Sequence, residues 1–368
     1  MTRRMLFLAA LLTLVPAVRL GPQAALAQQA AGNRLPARLP WAEFYKLSNE
    51  LSEADGFFRS DNLVSNEQFM QRVIPELTRT VKPGRVYLGV GPEQNFTYIA
   101  NIKPAMAFII DVRRGNLQLH LMYKALFELS SDRGDFVSRL FSLKRPAGLS
   151  RKSTVHEIFA AYADPKLRSA EAYKQNLAAI KRFYARQSPP GLADDDLKEI
   201  ERIYETFYTR GLDIHYEVTP GSAGAFPTYA EVMEATDGSV PRGYLATEES
   251  FAFVKELEAK GLVVPVVGNF SGPKAIRAVA KYLKAHGAVV SAFYVSNVEQ
   301  YLGREGGLEE FCANASTLPL DDTSTFIRSE RGAFPPRFGR TQSNRGGFGG
   351  GFNSKLWNML GELRGCTK

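Results

Sequence analysis

Two apolar segments of strand length, each followed by a helical pattern, restrict the fold of this chain more than any other feature. Residues 85–91 form an apolar run that ends in a glycine turn, and residues 105–112 form a second run with Asp111 near its end. Helical spacing follows over residues 94–102 and 116–130. Such strands are apolar on both faces, so helices must cover both. The alternation predicts an α/β protein with a mostly parallel, Rossmann-like sheet and helices on both faces.

The alternation breaks in the middle of the chain and then returns. Residues 131–212 carry apolar positions three or four apart, which predicts a helical insertion. Further strands are predicted at residues 214–218, 262–267, 288–295, 317–320 and 325–327, and further helices at residues 41–51, 66–78, 247–260 and 273–285. We expect these elements to complete one domain around a single sheet.

The amino-terminal residues predict export. Arg3 and Arg4 precede an apolar run over residues 5–18, and Ala25-Leu26-Ala27 has the small residues that a signal peptidase recognises. The run is shorter than the roughly 20 residues that span a membrane. Residues 1–27 are therefore predicted to be a signal peptide and the mature protein to be periplasmic. The paired arginines leave the general and the twin-arginine export routes both open.

The rest of the chain is predicted to have three parts. Residues 28–84 form an N-terminal helical extension, and residues 85–330 form the Rossmann-like domain with its insertion. Residues 331–368 form a glycine-rich tail, because a run of glycines does not easily hold a packed element.

Composition excludes several classes of partner and site. The formal net charge is +8, but basic residues are interspersed with acidic ones, so no nucleic-acid-binding stripe is indicated. No second apolar stretch reaches membrane length, so no membrane span is predicted in the mature chain. Cys312 and Cys366 permit at most one disulfide, and four histidines argue against a multi-histidine metal site. The expected partner is a small-molecule ligand, and the oligomeric state stays open.

The first predicted strand runs into a glycine turn of the kind that nucleotide-binding folds use. Glycines let the backbone approach a ligand, the next helix offers unpaired amides, and an acid after the second strand can hold a ribose hydroxyl. Asp111 has the position of that acid. The predicted cofactor-binding residues are Gly89, Gly91, Glu93, Gln94, Asn95 and Asp111, and no catalytic side chain is identified.

The turn departs from the dinucleotide pattern at one position. Gln94 replaces the third glycine, which normally lets the helix pack closely around a pyrophosphate. NAD is therefore disfavoured, and S-adenosylmethionine, which has no pyrophosphate, suits the turn better. The alternative is that Gly89 and Gly91 only make a tight connection between strand and helix.

Other polar groups are weaker candidates. Asp213, His215 and Glu217 alternate along a predicted strand and could ligate a metal, but a solvated strand face explains them as well, and no metal is assigned. His120 lies among leucines and is interpreted as a core histidine. The loop over residues 269–274 could contact a ligand or form a simple turn.

A polar cluster in the extension is interpreted as part of a lid over the pocket. Helix capping is the alternative explanation for these side chains. The cluster consists of Asp61, Asn62, Asn66 and Glu67.

Three blocks of the sequence resemble an uncharacterised bacterial family. They are residues 61–67, 87–98 and 110–114, within a similarity that extends over residues 40–330. The fold of that family is similar to class I S-adenosylmethionine-dependent methyltransferases. The resemblance implies a Rossmann-like fold and a methyltransferase-like pocket, and it brings no established activity.

Two functions stay open at this point. The first is S-adenosylmethionine-dependent methyl transfer. The second is a non-catalytic periplasmic binding or interaction protein that retains the fold, since a fold does not fix a function. Export favours the second, because S-adenosylmethionine is made in the cytoplasm.

Overall fold

The computed structural model describes residues 35–187, 190–217, 226–331 and 352–367. The strands in these ranges are β1 (Val86–Gly89), β2 (Met106–Asp111), β3 (Val263–Val267), β4 (Val290–Ser296), β5 (Thr325–Arg331) and β6 (Phe352–Asn358). The helices up to the end of the predicted insertion are α1 (Trp41–Leu51), α2 (Ile74–Thr80), α3 (Gln94–Ile102), α4 (Arg114–Leu129), α5 (Arg133–Phe141), α6 (Val155–Tyr162), α7 (Ala170–Ala185) and α8 (Asp194–Arg210). The later helices are α9 (Tyr229–Glu234), α10 (Glu248–Ala259), α11 (Ala275–Ala285), α12 (Val298–Glu305), α13 (Leu308–Ala315) and α14 (Met359–Leu363).

The strands form one mostly parallel sheet in the order β3-β2-β1-β4-β5-β6. The first five strands of that order pair in parallel, and β6 pairs antiparallel to β5. Every residue of β1, β2 and β3 is buried, because helices cover both faces of the sheet. The predicted α/β, Rossmann-like class is confirmed. The chain order of the strands reverses between β1 and β4.

Helices α5 to α8 lie in the stretch that the sequence predicts as an insertion, and they attach to α4. The hydroxyl of Tyr184 donates to the carbonyl oxygen of Leu121 at 2.6 Å. Arg114 pairs with the buried carboxylate of Asp196 at 2.7 Å. These contacts join the helical stretch to the helix that directly follows β2.

Some predicted elements are wrong within the described residues. Residues 214–217 bury Ile214 and Tyr216 but form only a single bridge, between His215 and Thr228, and add no strand to the sheet. Ile214 joins the hydrophobic core, and the ring of Tyr216 packs edge-on against Phe226. Residues 317–320 are a turn, and the helix predicted at 66–78 is a 3₁₀ turn followed by α2.

The carboxyl-terminal residues 352–367 also differ from the predicted tail. They form β6, α14 and a 3₁₀ turn, and Cys366 is bonded to Cys312 of α13. Phe352, Met359 and Leu363 are buried, which explains why this segment packs. The glycine run and the predicted signal peptide lie outside the described residues.

Candidate functional site

A cleft lies at the carboxyl ends of the central strands, where the strand order reverses. Its volume is about 160 Å³. We call it the strand-end cleft, and its walls include Val90, Gly91, Gln94, Asp111, Gly268 and Asn297. Open parallel sheets bind their ligands at this position, because the loops that follow β1 and β4 diverge there. Gly91, Gln94 and Asp111 of the predicted set therefore lie in one cleft.

A smaller compartment of about 80 Å³ joins the strand-end cleft. We call it the Glu67 compartment, and its walls include Arg59, Glu67, Tyr294 and Phe352. The two spaces share Phe58, Asn62, Gln94, Ser296, Asn297 and Tyr301 as wall residues. The two spaces are therefore adjacent, and we call them together the cavity.

The inside of the glycine turn is filled by the side chain of Asn95. Its amide nitrogen donates to the carbonyl oxygens of Val90, Gly91 and Pro92 at 2.7–3.1 Å, and its oxygen accepts from the Tyr87 hydroxyl at 2.8 Å. A Cβ atom on Gly89 would lie 1.9 Å from that oxygen. Gly89 and Asn95 are therefore needed to build the turn, and neither lines the cleft.

Gly91 holds the tip of the turn in a left-handed conformation, with φ of 78°. Its carbonyl oxygen accepts from Nε2 of His120 at 2.9 Å. Burial lowers the pKa of His120 to about 4, so the imidazole is neutral. His120 is a core residue as predicted, and it also fixes the turn from behind.

Gln94 lines both parts of the cavity and has an unused hydrogen-bond acceptor. Its Nε2 donates to the carbonyl oxygen of Val90 at 3.1 Å. Its Oε1 is buried and has no hydrogen-bond partner among the described residues. A buried acceptor without a partner costs about 1–3 kcal/mol, so this atom is suited to receive a donor from a ligand.

Glu93 points away from the cavity. The carboxylate is fully buried and accepts from the backbone nitrogen of Ser65 at 3.0 Å. Burial raises its pKa to about 7. Glu93 therefore ties residue 65 to the start of α3, and it lines neither part of the cavity.

Glu93→Gln is expected to increase stability at pH 8 and to flatten its pH dependence. The folded pKa of about 7 lies above the ordinary 4.5, so the folded chain binds the extra proton, and stability present below pH 4.5 is lost as the pH rises through 7. The amide avoids a charging cost of about 3 kcal/mol but leaves its NH₂ group without an acceptor, for a net gain of about 1–2 kcal/mol. Urea unfolding at pH 5 and pH 8 measures the change. Loss of stability at both pH values would contradict it.

Asp111 lies in the cleft, but its carboxylate is paired. Both of its oxygens accept from the guanidinium of Arg113, at 2.9 Å and 2.8 Å. The same guanidinium donates to the carbonyl oxygens of Ser60 and Asp61. A ribose hydroxyl could therefore bind the Asp111 carboxylate only by sharing it with this ion pair.

The residues before α2 cap the helices at this edge of the sheet. We call residues 52–69 the capping segment. The carboxylate of Glu53 accepts from the backbone nitrogens of Asn269, Lys274 and Ala275 at 2.7–3.1 Å, at the start of α11. These helix-start amides, which could hold a phosphate, are already paired.

A second carboxylate of the capping segment does the same for the next helix. Oδ1 of Asp55 accepts from the backbone nitrogen of Arg114, the first residue of α4, at 2.7 Å. Sequence reasoning missed Glu53 and Asp55. No local signal marks them, because their partners are 59 to 222 residues away in sequence.

Two residues with side chains adopt left-handed backbone conformations in the wall shared by the two parts. Asn62 has φ of 46° and Ser296 has φ of 50°. Such conformations cost on the order of 1–3 kcal/mol each and concentrate at functional sites. Sequence reasoning placed Asn62 in a lid but missed Ser296, which ends β4.

The predicted loop 269–274 contributes Asn269 to the strand-end cleft, and its amides bind Glu53. Asp213, His215 and Glu217 do not share a strand face. In the part of the chain that the structure describes, no three His, Cys, Asp or Glu side chains gather as a metal site. None of the helices within the described ranges is long and apolar enough to cross a membrane.

Comparison with known proteins identifies a family. The sequence matches no curated protein. A family model described as a domain of unknown function (DUF7790) matches residues 62–359, which include the glycine turn, the six described strands of the sheet and most of the residues that line the cavity. The chain belongs to the family of proteins with this domain.

Proposed function

We propose that this protein binds S-adenosylmethionine in the strand-end cleft and transfers its methyl group. The observation that carries the proposal is Oε1 of Gln94, a buried acceptor without a described partner, in the cleft where the strand order reverses. S-adenosylmethionine has amino groups at both ends that could donate to it. Methyl transfer needs alignment of the two reactants and exclusion of water more than it needs a protein nucleophile.

The charges around the cleft support a ligand without phosphates. Glu53 and Asp55 bind the amides at the starts of α11 and α4, so a pyrophosphate would have to displace a carboxylate. The cleft walls also contain Asp111, Glu305 and Arg113, of which Arg113 is neutralised by Asp111. A sulfonium cation is compatible with these charges.

We also propose that the protein is exported. The Cys312–Cys366 disulfide supports this, because such bonds persist in oxidising compartments. The folded chain could then carry its ligand outward by the twin-arginine route.

The second candidate function is a non-catalytic periplasmic binding protein. Two observations favour it: Asp111 is paired with Arg113, and the inside of the glycine turn is filled by Asn95. Neither group would need to change if the cleft held a ligand other than a nucleoside.

Gln94→Met is expected to weaken S-adenosylmethionine binding about 10-fold. The substitution keeps the length and removes the acceptor, and loss of one buried hydrogen bond corresponds to about 1.4 kcal/mol. Titration calorimetry on residues 28–368 with S-adenosylmethionine, S-adenosylhomocysteine and NAD measures this. Gln175→Met, on the exposed side of α7, is the matched control and should leave the affinity unchanged.

Each result separates the two functions. Binding of both adenosyl ligands that is about 10-fold weaker in Gln94→Met and unchanged in Gln175→Met supports a cofactor site in the strand-end cleft, which methyl transfer requires. No binding of either one to the wild-type chain rejects the cofactor and leaves the binding protein. Equal affinity in both variants would mean that the ligand binds somewhere other than the strand-end cleft.

A further inference from the structure

The Glu67 compartment places a buried carboxylate next to the proposed cofactor cleft. Glu67 is 2 % exposed, and its Oε1 accepts from the hydroxyls of Tyr294 at 2.5 Å and Ser296 at 2.7 Å. Oε2 has the Ser354 hydroxyl at 3.5 Å. These donors stabilise the charged form, while burial raises the pKa of Glu67 above its ordinary value. A ligand in the Glu67 compartment would therefore lie next to this carboxyl group.

Six of the fourteen residues that line this compartment have aromatic side chains. The rings belong to Phe58, Tyr216, Phe226, Tyr294, Tyr301 and Phe352. Aromatic side chains favour a flat, partly apolar ligand, and the small size of the compartment favours a single ring with small substituents.

Arg59 also lines the Glu67 compartment, and no carboxylate in the described ranges binds its guanidinium group. Arg59 is exposed and lies 6.0 Å from the ring centre of Tyr301. It forms no ion pair with any carboxylate in the described ranges. Arginine binds carboxylates through two parallel hydrogen bonds, so Arg59 is suited to hold an acidic substituent.

We propose that the Glu67 compartment binds the methyl acceptor, a small aromatic acid with a hydroxyl group, and that Glu67 is the catalytic base. The carboxylate of the ligand pairs with Arg59, and its ring packs among the aromatic side chains. The binding site is inferred from the residues of the compartment itself. The role of Glu67 as the base for methyl transfer rests on the proposed function.

The reaction balances with these groups alone. The hydroxyl proton of the acceptor moves to Glu67 as its oxygen forms a bond to the methyl carbon. The bond between that carbon and the sulfonium sulfur breaks, and its electron pair stays on sulfur. The products are a methyl ether, S-adenosylhomocysteine and a proton. General bases of this kind contribute about 10²–10⁴-fold to a rate.

The test uses 4-hydroxybenzoate as the probe, with binding and turnover measured separately. Calorimetry of the wild-type chain should detect binding, and Arg59→Gln should weaken it at least 10-fold. Mass spectrometry should detect 4-methoxybenzoate when S-adenosylmethionine is added. Glu67→Gln should lower kcat at least 100-fold while S-adenosylmethionine affinity changes less than 2-fold.

Two control variants test whether the effects are specific to Arg59 and Glu67. Arg182→Gln removes an exposed arginine of α7, and Glu258→Gln removes a buried carboxyl on α10 that lies outside the cavity. Both controls should bind the probe as the wild type does. Arg59 is exposed, so its variant should fold even if Glu67→Gln does not.

The outcomes distinguish this inference from the proposed function. If S-adenosylmethionine binds but 4-hydroxybenzoate neither binds nor reacts, the inference is wrong and the proposed function stands. If the probe binds through Arg59 and the cofactor does not bind, the aromatic-acid site stands and methyl transfer is rejected. Equal probe affinity in Arg59→Gln and the wild type overturns the site as well.

Discussion

The Gly89→Ala substitution is expected to lower the free energy of unfolding by about 4 kcal/mol. The new Cβ atom would lie 1.9 Å from Oδ1 of Asn95 and 2.9 Å from the ring of Tyr87. Asn95 is fully buried and cannot move without giving up hydrogen bonds to three carbonyl oxygens and to the Tyr87 hydroxyl. The steric clash and the loss of these hydrogen bonds both lower the free energy of unfolding. Urea unfolding followed by circular dichroism measures the loss.

Gly115→Ala is the matched control. Position 115 is in the first turn of α4, and a Cβ atom there meets no other atom within 4 Å. Alanine in a helix is favoured over glycine, so this variant should gain about 0.5–1 kcal/mol. A Gly89→Ala variant of normal stability with weakened ligand binding would contradict our account. It would show that Gly89 is kept for a ligand and not for Asn95.

Loss of the Cys312–Cys366 disulfide is expected to destabilise the protein by about 3–4 kcal/mol. The two cysteines are 54 residues apart, and closing a loop of this length removes about 4 kcal/mol of unfolded-chain entropy. The bond also ties the segment that follows β6 to α13, so amides of residues 352–358 should exchange faster after reduction. Chemical unfolding and hydrogen exchange, with and without dithiothreitol, measure both effects.

The double variant Cys312→Ser, Cys366→Ser provides the control for reduction. It should show the lower stability in both conditions and no response to dithiothreitol. If the wild type and this variant unfold at the same urea concentration under oxidising conditions, the bond adds no stability. Fast exchange that also spreads to β1 would contradict the local role assigned to it.

The sheet could be predicted because its signals are local. The runs over residues 86–90 and 105–110 contain no charged residue, and their burial on both faces follows from that property. The predicted strand at 214–218 had a different signal, an alternation of apolar and polar residues, and the described part of it joins no strand of the sheet. A short alternating pattern does not reveal which surface will bury it.

The site was predicted only in part, for the same reason. Gly91, Gln94 and Asp111 follow directly from the turn and the strand ends, and they line the cleft. Arg113 is only two residues from Asp111, but its further contacts with the carbonyl oxygens of Ser60 and Asp61 come from the capping segment. The acceptor group of Gln94 depends on its neighbours in three dimensions. Glu67 was visible as a polar residue, but the hydroxyls around it come from distant parts of the chain.

The long-range contacts of the capping segment determine the order in which this protein can complete its fold. Glu53 meets Ala275 at a separation of 222 residues, and Glu67 meets Tyr294 at 227 and Ser354 at 287. A chain that emerges amino terminus first, from a ribosome or a translocation pore, exposes these carboxylates long before their partners exist. Fragments that stop short of β4 therefore cannot assemble the cavity, and the nascent chain has to stay unaggregated until nearly all of it is available.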